Sequence, residues 1–366
     1  MLPWQPKYYI IYANIVSQNP APGAHTERFI TMKKFLSLVL AMVMCLSVFT
    51  ACSTEADSEI TPPATATFRI AGMKGPTTMG MTKLMKDAEA NNADESYAGN
   101  VYNVTMYGTA QEINPLLIQG ELDVAAVPAN VAATLYAKTE GAVQVVAVNT
   151  LGVLYMVQIG DSVQSVADLK GKTIYTTGKG TTPEYTLRHI LSENGIDPDK
   201  DVTIEFKSEA TEVGALLASA EGDMVAMLPQ PYVTAVQAQN ANVTVALDMT
   251  EEWGKVSDQK LITGVLVARK SFIEENKEAF DVFVADYAAS TEYVTTNVDE
   301  AAAWVAEYGI VAKEPLAKKA IPQCNITCVT GEEMKALVNN YCSVLHAQNP
   351  ASVGGAMPDD GFYYVG

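Results

Sequence analysis

Two glycine-rich turns carry the residue types best suited to hold a small anionic group. They are residues 72–78, with the sequence GMKGPTT, and residues 178–183, with the sequence GKGTTP. Each turn lies between a predicted strand and a predicted helix, where free backbone N–H groups and the helix dipole favour a carboxylate, phosphate or sulfonate. Threonine hydroxyls add donors, and Lys74 and Lys179 could pair with the anion. The alternative is an ordinary turn with threonine caps and solvated lysines.

Two proline-containing turns end further predicted strands. They are residues 128–131, with the sequence PANV, and residues 229–233, with the sequence PQPYV. Because open α/β sheets bind ligands at the carboxyl ends of their strands, Asn130, Gln230 and Tyr232 are candidates to line a cleft. The alternative is that the prolines simply start helices.

The sequence offers few groups to a catalytic mechanism. His189 and His346 are the only histidines after residue 51. No serine or cysteine motif marks a nucleophile, and neither glycine turn has the Gly-Lys-Ser/Thr ending of a phosphate-binding loop. Glu184, beside the second glycine turn, is the one acid candidate. We therefore expect a protein that is not an enzyme and that needs no cofactor.

Three cysteines and a histidine near the C-terminus fall at spacings close to those of zinc ligands. The set is Cys324, Cys328, Cys342 and His346. The alternatives are one disulfide with a leftover thiol, as an exported chain allows, or buried free thiols. Because a single Cys-x3-Cys is not specific, we expect no metal site.

An internal repeat of about 100 residues predicts two lobes of similar build. Ala110, Glu112, Ile113, Leu116, Leu117, Glu121 and Asp123 recur as Ala210, Glu212, Val213, Leu216, Leu217, Glu221 and Asp223. In both copies a strand, a glycine turn and a helix come before this segment, and a short apolar strand and a proline turn follow it.

From Thr67 onward, short β-branched runs alternate with amphipathic helical patterns, which is typical of βα units around parallel sheets. Predicted strands cover 68–71, 101–107, 123–127, 143–148, 173–176, 202–206 and 243–246, and predicted helices cover 78–89, 129–138, 183–194, 213–219 and 233–239. After Ser271 the pattern is almost wholly helical. We predict an α/β fold with two similar lobes, each with a mostly parallel central sheet flanked by helices, a ligand cleft between them and a helical C-terminal region.

Composition and charge indicate a globular protein that does not bind nucleic acid. The chain has 366 residues, of which 48% are apolar and 18% charged, so it is globular and large enough for two domains. It carries 42 acidic and 24 basic residues, a formal net charge of −18. Such a field repels phosphate backbones and anionic lipids, so nucleic-acid binding is not expected.

The N-terminal segment predicts export. A basic Met32-Lys33-Lys34 precedes an apolar run over residues 35–49, which is short for a spanning helix and ends in a small-residue processing site. We assign residues 32–51 to a signal sequence and residues 1–31, which precede it, to an over-extended start site.

The residues Phe49-Thr50-Ala51-Cys52 resemble the bacterial lipobox, in which the cysteine is lipidated and becomes the first residue of the mature protein. The resemblance implies lipidation of Cys52, with a flexible polar tether within residues 52–65. The alternative is plain secretion with an incidental cysteine.

The segment VADLKGKTI at 166–174, followed by TGKGTT at 177–182, resembles solute-binding lipoproteins of ABC importers, with the type II periplasmic-binding-protein fold. Residues 120–128 and 263–272 resemble the strand that ends at the ligand and the return segment of that family. The chain is most similar to the branch that binds sulfonates, nitrate, taurine or thiamine-precursor pyrimidines. The cysteine-rich motif of the related pyrimidine synthases has no match here, which argues against their chemistry.

The resemblance implies a first lobe at 66–155 plus 265–366, a second lobe at 156–264, and closure of the lobes around a small polar solute, anionic or zwitterionic. The implied ligand-binding residues are Lys74, Gly75, Pro76, Thr77, Thr78, Met79, Pro128, Ala129, Asn130, Asn149, Thr150, Lys179, Gly180, Thr181, Thr182, Pro229, Gln230, Pro231 and Tyr232.

The implied partners are an ABC permease and its separate ATPase. The protein is expected to be a monomer on the outer face of the bacterial cell membrane, held there by its lipid alone. Two alternatives remain open: an exported enzyme on the same fold, and a ligand-sensing lipoprotein without transport.

Overall fold

The computed structural model of the protein describes residues 64–366. The predicted start site at 1–31, signal sequence at 32–51 and lipidated Cys52 lie outside this part of the chain, as does most of the tether predicted at 52–65. Within residues 64–366, none of the helices combines the length and the apolar character needed to cross a membrane.

Eleven strands in the described residues form two sheets. They are β1 (Thr67–Met73), β2 (Val101–Tyr107), β3 (Val124–Pro128), β4 (Val143–Leu151), β5 (Leu154–Ile159), β6 (Thr173–Thr176), β7 (Thr203–Phe206), β8 (Met224–Pro229), β9 (Thr244–Asp248), β10 (Ile262–Arg269) and β11 (Ile326–Val329). The first sheet has the order β11-β4-β10-β3-β1-β2, and the second has the order β7-β6-β8-β5-β9. In the first sheet, β1 to β4 run in one direction and β10 and β11 in the opposite direction. In the second sheet, only β5 is antiparallel to its neighbours. Most strands of each sheet are therefore parallel, which confirms the predicted α/β class.

Thirteen α-helices in the described residues surround the sheets. They are α1 (Pro76–Met79), α2 (Thr82–Ala93), α3 (Ala110–Gln119), α4 (Ala129–Lys138), α5 (Thr182–Glu193), α6 (Ala210–Ser219), α7 (Tyr232–Gln237), α8 (Met249–Val256), α9 (Lys270–Glu275), α10 (Lys277–Thr296), α11 (Val298–Glu307), α12 (Glu314–Ala320) and α13 (Gly331–Gln348). We call the first sheet with α1–α4 and α9–α13 the first lobe, and the second sheet with α5–α8 the second lobe.

The two sheets share one strand order. β2-β1-β3-β10-β4 in the first sheet corresponds to β7-β6-β8-β5-β9 in the second, and β11 is an additional edge strand of the first. The helices of the sequence repeat, α3 and α6, follow the corresponding strands β2 and β7. This correspondence confirms the prediction of two similar lobes.

The chain crosses between the sheets twice. It leaves the first sheet after Leu151, enters the second at Leu154, and returns to the first at Ile262. The predicted domain bounds at 155/156 and 264/265 fall inside β5 and β10, and each of these strands belongs to one sheet. We therefore define each lobe by the sheet that its strands form.

Two sequence predictions differ from the structure in detail. The helix predicted at 78–89 is divided into α1 and α2, because the carbonyl oxygen of Gly80 accepts a hydrogen bond from Ser290 Oγ (2.7 Å) of α10. The helical pattern predicted after Ser271 is interrupted by β11, which pairs with β4.

A buried carboxylate ties three strands of the first sheet together. Asp123, only 1% exposed, accepts hydrogen bonds from the side chains of Arg69 on β1 and Arg269 on β10, the closest at 2.6 Å each. It also accepts the backbone N–H of Arg69 at 3.0 Å. Burial alone would raise the pKa of Asp123, but the hydrogen bonds from the two arginines outweigh it and lower the pKa.

Candidate functional site

A cleft of about 750 Å³ lies between the lobes at the carboxyl ends of their parallel strands. Its wall is formed by the turns that follow β1, β2 and β3 in the first lobe and β6, β7 and β8 in the second. Leu154 of β5, Thr263 of β10 and the loop 309–312 between α11 and α12 complete the wall. Ligands of open α/β sheets bind at this edge.

The cleft brings together predicted ligand-binding residues from both glycine turns and both proline turns. They are Lys74, Pro76, Thr77, Pro128, Lys179, Thr181, Pro229, Pro231 and Tyr232. These residues are far apart in sequence, and the shared strand order of the two lobes places them on facing walls.

The other predicted ligand-binding residues lie behind the wall or where the lobes touch. They are Gly75, Thr78, Met79, Ala129, Asn130, Asn149, Thr150, Gly180, Thr182 and Gln230. Thr78 Oγ1 donates to the Met73 carbonyl (2.7 Å), and Asn149 Nδ2 donates to the Thr77 carbonyl (3.1 Å). Thr150 Oγ1 in turn donates to Asn149 Oδ1 (3.0 Å). These bonds position the first glycine turn from behind.

Three of these residues join the two lobes instead. Asn130 Nδ2 on α4 donates to the Gly180 carbonyl (3.2 Å), and Thr182 Oγ1 on α5 donates to Asn130 Oδ1 (3.3 Å). Gln230 Nε2 in the second lobe donates to Gln323 Oε1 in the first (2.8 Å). The amide side chains predicted to face ligand therefore hold the lobes against each other.

Two buried hydroxyls at the floor of the cleft have no hydrogen-bond partner within residues 64–366. Thr77 is 3% exposed and Thr263 is 8% exposed, and the Oγ1 atom of each is unpartnered in this part of the chain. Leaving a buried polar group unpaired costs about 1–3 kcal/mol, so such groups call for an explanation. Both line the cleft, where a ligand would supply the missing partner.

Gly264 makes room for Thr77. A Cβ atom at Gly264 would lie 2.4 Å from Thr77 Cγ2 and 2.6 Å from Asn149 Oδ1. Gly264 pairs with Pro128 of β3, so β10 brings Thr263 beside a predicted site residue. Sequence reasoning missed Thr263 because only this antiparallel pairing places it in the wall.

Three lysines contribute positive charge to the cleft. Lys74 and Lys179 take part in no salt bridge within residues 64–366, and Lys179 Nζ lies 5.9 Å from the centre of the Phe206 ring. Lys207, which the sequence analysis missed, follows β7 and pairs with Glu205 at 3.2 Å. An anionic group would therefore find, among the described residues, one lysine without a salt bridge on each lobe.

At the starts of α3 and α6, a glutamate of each helix offsets part of the positive charge that the helix dipole presents to the cleft. Glu112 Oε2 accepts the backbone N–H groups of Gly108 (2.8 Å) and Thr109 (3.1 Å) at the start of α3. Glu212 accepts the Ser208 N–H (3.2 Å) at the start of α6 in the same way. Because these carboxylates offset the helix dipoles, the positive potential of the cleft rests mainly on its lysines.

Glu184, the acid considered for an exported enzyme, plays a structural part. Its Oε2 atom accepts the Gly180 N–H (2.7 Å) in the second glycine turn. Its Oε1 atom accepts from Arg188 Nε (2.8 Å), and Arg188 also pairs with Asp199 (2.8 Å). The carboxylate is thus engaged within α5 and its preceding turn, and Glu184 is not part of the cleft wall.

Much of the wall is apolar. Leu154, Ala235, Val236 and the loop 309–312, with the sequence GIVA, contribute hydrocarbon surface. The phenol of Tyr232 faces the same space, and its Oη lies 3.5 Å from the Lys74 carbonyl across the cleft. Eleven helices and strands, from α5 to α11, separate the loop 309–312 from the second glycine turn, and no local sequence signal relates it to the cleft.

The cysteines and His346 do not form a ligand set. Within residues 64–366, Cys324, Cys328 and Cys342 form no disulfide, and no three potential metal ligands come together. Cys324 packs in the core formed by α11 and α12, whereas Cys342 packs with α4 and β4. Burial raises the pKa of Cys342 to about 12 and that of Cys328 to about 11.

The fold and cleft define the class of protein, a two-lobe α/β fold with a cleft between the lobes. An ABC transporter structure from Parabacteroides distasonis has a TM-score of 0.66 and 20% identity, covering 81% of this chain and 98% of that chain. The periplasmic aliphatic sulphonate binding protein SsuA from Escherichia coli has a TM-score of 0.65 and 16% identity, covering 81% of this chain and 92% of that chain.

Residues 105–301 match the family described as NMT1/THI5 like, which is more than half of the chain, so the protein belongs to this family. A predicted binding protein of Brucella abortus (strain 2308) is 26% identical over 206 residues, covering 56% of this chain and 61% of that protein. The chain thus matches about three fifths of the length of these curated relatives.

Proposed function

We propose that this protein is the extracytoplasmic solute-binding component of an ABC import system. It captures a small organic solute with an anionic or zwitterionic head in the cleft and delivers it to a membrane permease that has a separate ATPase. The observation that carries this proposal is that the buried hydroxyls of Thr77 and Thr263 have no partner among the described residues and share a cleft with Lys74 and Lys179, which form no salt bridge there.

The relatives support a binding role. The Escherichia coli neighbour is named for binding aliphatic sulphonates and the Brucella relative for binding. A sulfonate or carboxylate would accept hydrogen bonds from both threonines and pair with Lys74 or Lys179. The apolar wall would cover the rest of the solute, at about 0.8 kcal/mol for each buried methylene.

Closure of the lobes would couple binding to delivery. A ligand that touches both walls binds the closed form better than an open one, and this difference in affinity drives closure. The contacts of Asn130 with Gly180 and of Gln230 with Gln323 join the lobes and would be made or broken in this movement. The permease would then recognise the closed form.

Cys52 would anchor the protein. We infer that residues 1–51 are absent from the working protein and that a lipid on Cys52 holds it at the outer face of the cell membrane. Labelling of growing cells with radioactive palmitate tests this: the wild type should incorporate label and fractionate with membranes, and Cys52→Ser should do neither. A wild type that is released unlabelled into the medium would contradict the anchor.

Calorimetric titration tests the binding function. Purified protein would be titrated with alkanesulfonates, short carboxylates and pyrimidines, and we expect one of these classes to bind at one site per chain. Thr77→Val should weaken that binding about tenfold or more, since a hydrogen bond to a charged group is worth about 1.5–3 kcal/mol. Thr77→Ser, which keeps the hydroxyl, should bind like the wild type.

Two results would contradict the proposal. One is the absence of binding across all three classes. The other is a Thr77→Val variant that binds as tightly as the wild type, which would place the solute elsewhere.

A further inference from the structure

An acidic side chain enters the cleft from the second lobe. Glu209 precedes α6 and lines the cleft wall. Its Oε2 atom accepts a hydrogen bond from Thr211 Oγ1 (3.2 Å), whereas its Oε1 atom has no donor within residues 64–366. Glu209 also takes part in no salt bridge in this part of the chain. One oxygen of this carboxylate is therefore available to a donor in the cleft.

The Glu209 carboxylate lies near a second carboxylate from the opposite lobe. Glu209 Oε1 lies 3.1 Å, and Glu112 Oε2 lies 3.5 Å, from the point that a Cβ atom of Gly108 would occupy, so the two oxygens are at most 6.6 Å apart. Glu112 is held there by the Gly108 and Thr109 N–H groups, so it cannot readily move away. Two negative charges this close repel each other, and the repulsion opposes closure unless a cation lies between or beside them.

The two lobes contribute chemically different groups to the cleft. The first lobe supplies the hydroxyls of Thr77 and Thr263 and the amine of Lys74, which suit an anionic group. The second lobe supplies the Glu209 carboxylate, whose free oxygen suits a cationic N–H group. Burial together with the Glu209 charge raises the pKa of Tyr232 to about 12, so its hydroxyl stays neutral.

We propose that Glu209 is a specificity-determining residue that binds the ammonium or amidinium group of a zwitterionic solute, whose acidic head lies at Thr77 and Thr263. This inference rests on the proposed function and narrows it from an anionic or zwitterionic solute to a zwitterionic one. The cation would also relieve the repulsion between Glu209 and Glu112, so it would favour the closed form that the permease recognises.

Matched ligand pairs test the role of Glu209. 2-Aminoethanesulfonate and propane-1-sulfonate have the same length and differ in the terminal ammonium or methyl group, and 3-aminopropanoate and butanoate form the corresponding carboxylate pair. The wild type should bind the amino compound of at least one pair about tenfold more tightly than its methyl partner, as expected for a hydrogen bond to a charged group. Glu209→Gln should reduce this ratio to below about threefold and leave the affinity for the methyl compound within about threefold of the wild type.

Glu221→Gln is the matched control, because it removes the same charge from an exposed position of the second lobe outside the cleft wall. It should keep the wild-type preference. A wild type that prefers the methyl compounds, or a Glu209→Gln variant that keeps the tenfold ratio, would overturn the inference and leave the proposed function intact. If neither member of either pair binds, the inference is overturned; if the wider panel also fails, the proposed function falls with it.

Discussion

Replacing Gly264 by alanine should displace Thr77 and so weaken solute binding. The added Cβ would lie 2.4 Å from Thr77 Cγ2, more than 1 Å inside ordinary carbon contact, which is about 3.5–4.0 Å. Asn149 Oδ1, at 2.6 Å, blocks relief on the other side. Asn149 also holds the Thr77 carbonyl (3.1 Å), so the first glycine turn must shift by roughly 1 Å to relieve the clash.

A shift of this size has a predictable magnitude in two assays. Overpacking of a buried site costs about 1–3 kcal/mol, which urea denaturation would report as a lower free energy of unfolding. A hydrogen-bond donor moved by 1 Å no longer reaches its acceptor, so the dissociation constant measured by calorimetry should rise by about tenfold to hundredfold. Gly222→Ala is the matched control, because an added Cβ there lies within 4 Å of no atom of the described residues.

The combination of Gly264→Ala with Thr77→Ser separates the two effects. Removing Thr77 Cγ2 takes away the closest clash but keeps the hydroxyl, so the double variant should recover part of both losses. If Gly264→Ala lowers stability but leaves the dissociation constant unchanged, Thr77 does not contact the solute and the reasoning about the cleft floor is refuted.

Further predictions concern stability, lobe contact, chain length and thiol reactivity. Asp123→Asn should lower the free energy of unfolding by about 2–3 kcal/mol, below the roughly 3–5 kcal/mol of a fully buried broken pair, because Arg69 keeps a 45% exposed side chain. The pKa of Asp123 is lower in the folded than in the unfolded protein. The stability difference between wild type and Asp123→Asn should therefore be complete above the unfolded pKa of about 3.9, and it should vanish as the pH of the urea titration falls through the pKa of Asp123 in the folded protein. Gln323→Ala, which removes the acceptor for Gln230, should speed solute release several-fold in stopped-flow measurements, and Gln323→Glu, which keeps an acceptor, should not. Within a series of straight-chain sulfonates, calorimetry should show affinity rising about fourfold per methylene until the chain reaches the loop 309–312. Iodoacetamide should leave Cys342 unmodified in the native protein and label it in urea, because the thiol is buried and its pKa is raised to about 12.

The repeated βα units could be predicted from sequence because each strand is a short β-branched run followed by an amphipathic helix. The reversed strands β5 and β10 could not, since nearly every residue of both is buried and their sequences show no alternation of apolar and polar residues. Their place and direction are set by pairing with strands distant in the chain, β8 and β9 for one and β3 and β4 for the other.

The site could be predicted in part for a related reason. Residues such as Thr77 and Tyr232 follow strands, and the edge rule for α/β sheets places them in the cleft. The same rule, applied to the turn after β7, also predicts Lys207 and Glu209 in the cleft wall. That rule does not predict the direction of a side chain, and for this reason it places Gln230 at the ligand although Gln230 contacts Gln323.

The most direct measurement is calorimetric titration of the wild type and of Thr77→Val/Thr263→Val with the small molecule that is released when the purified wild-type protein is denatured. The proposed site predicts one molecule bound per wild-type chain and an affinity at least about a hundredfold weaker in the double variant, at about tenfold for each lost hydrogen bond. Equal affinity in the two proteins would contradict the claim that the solute is held at the floor of the cleft.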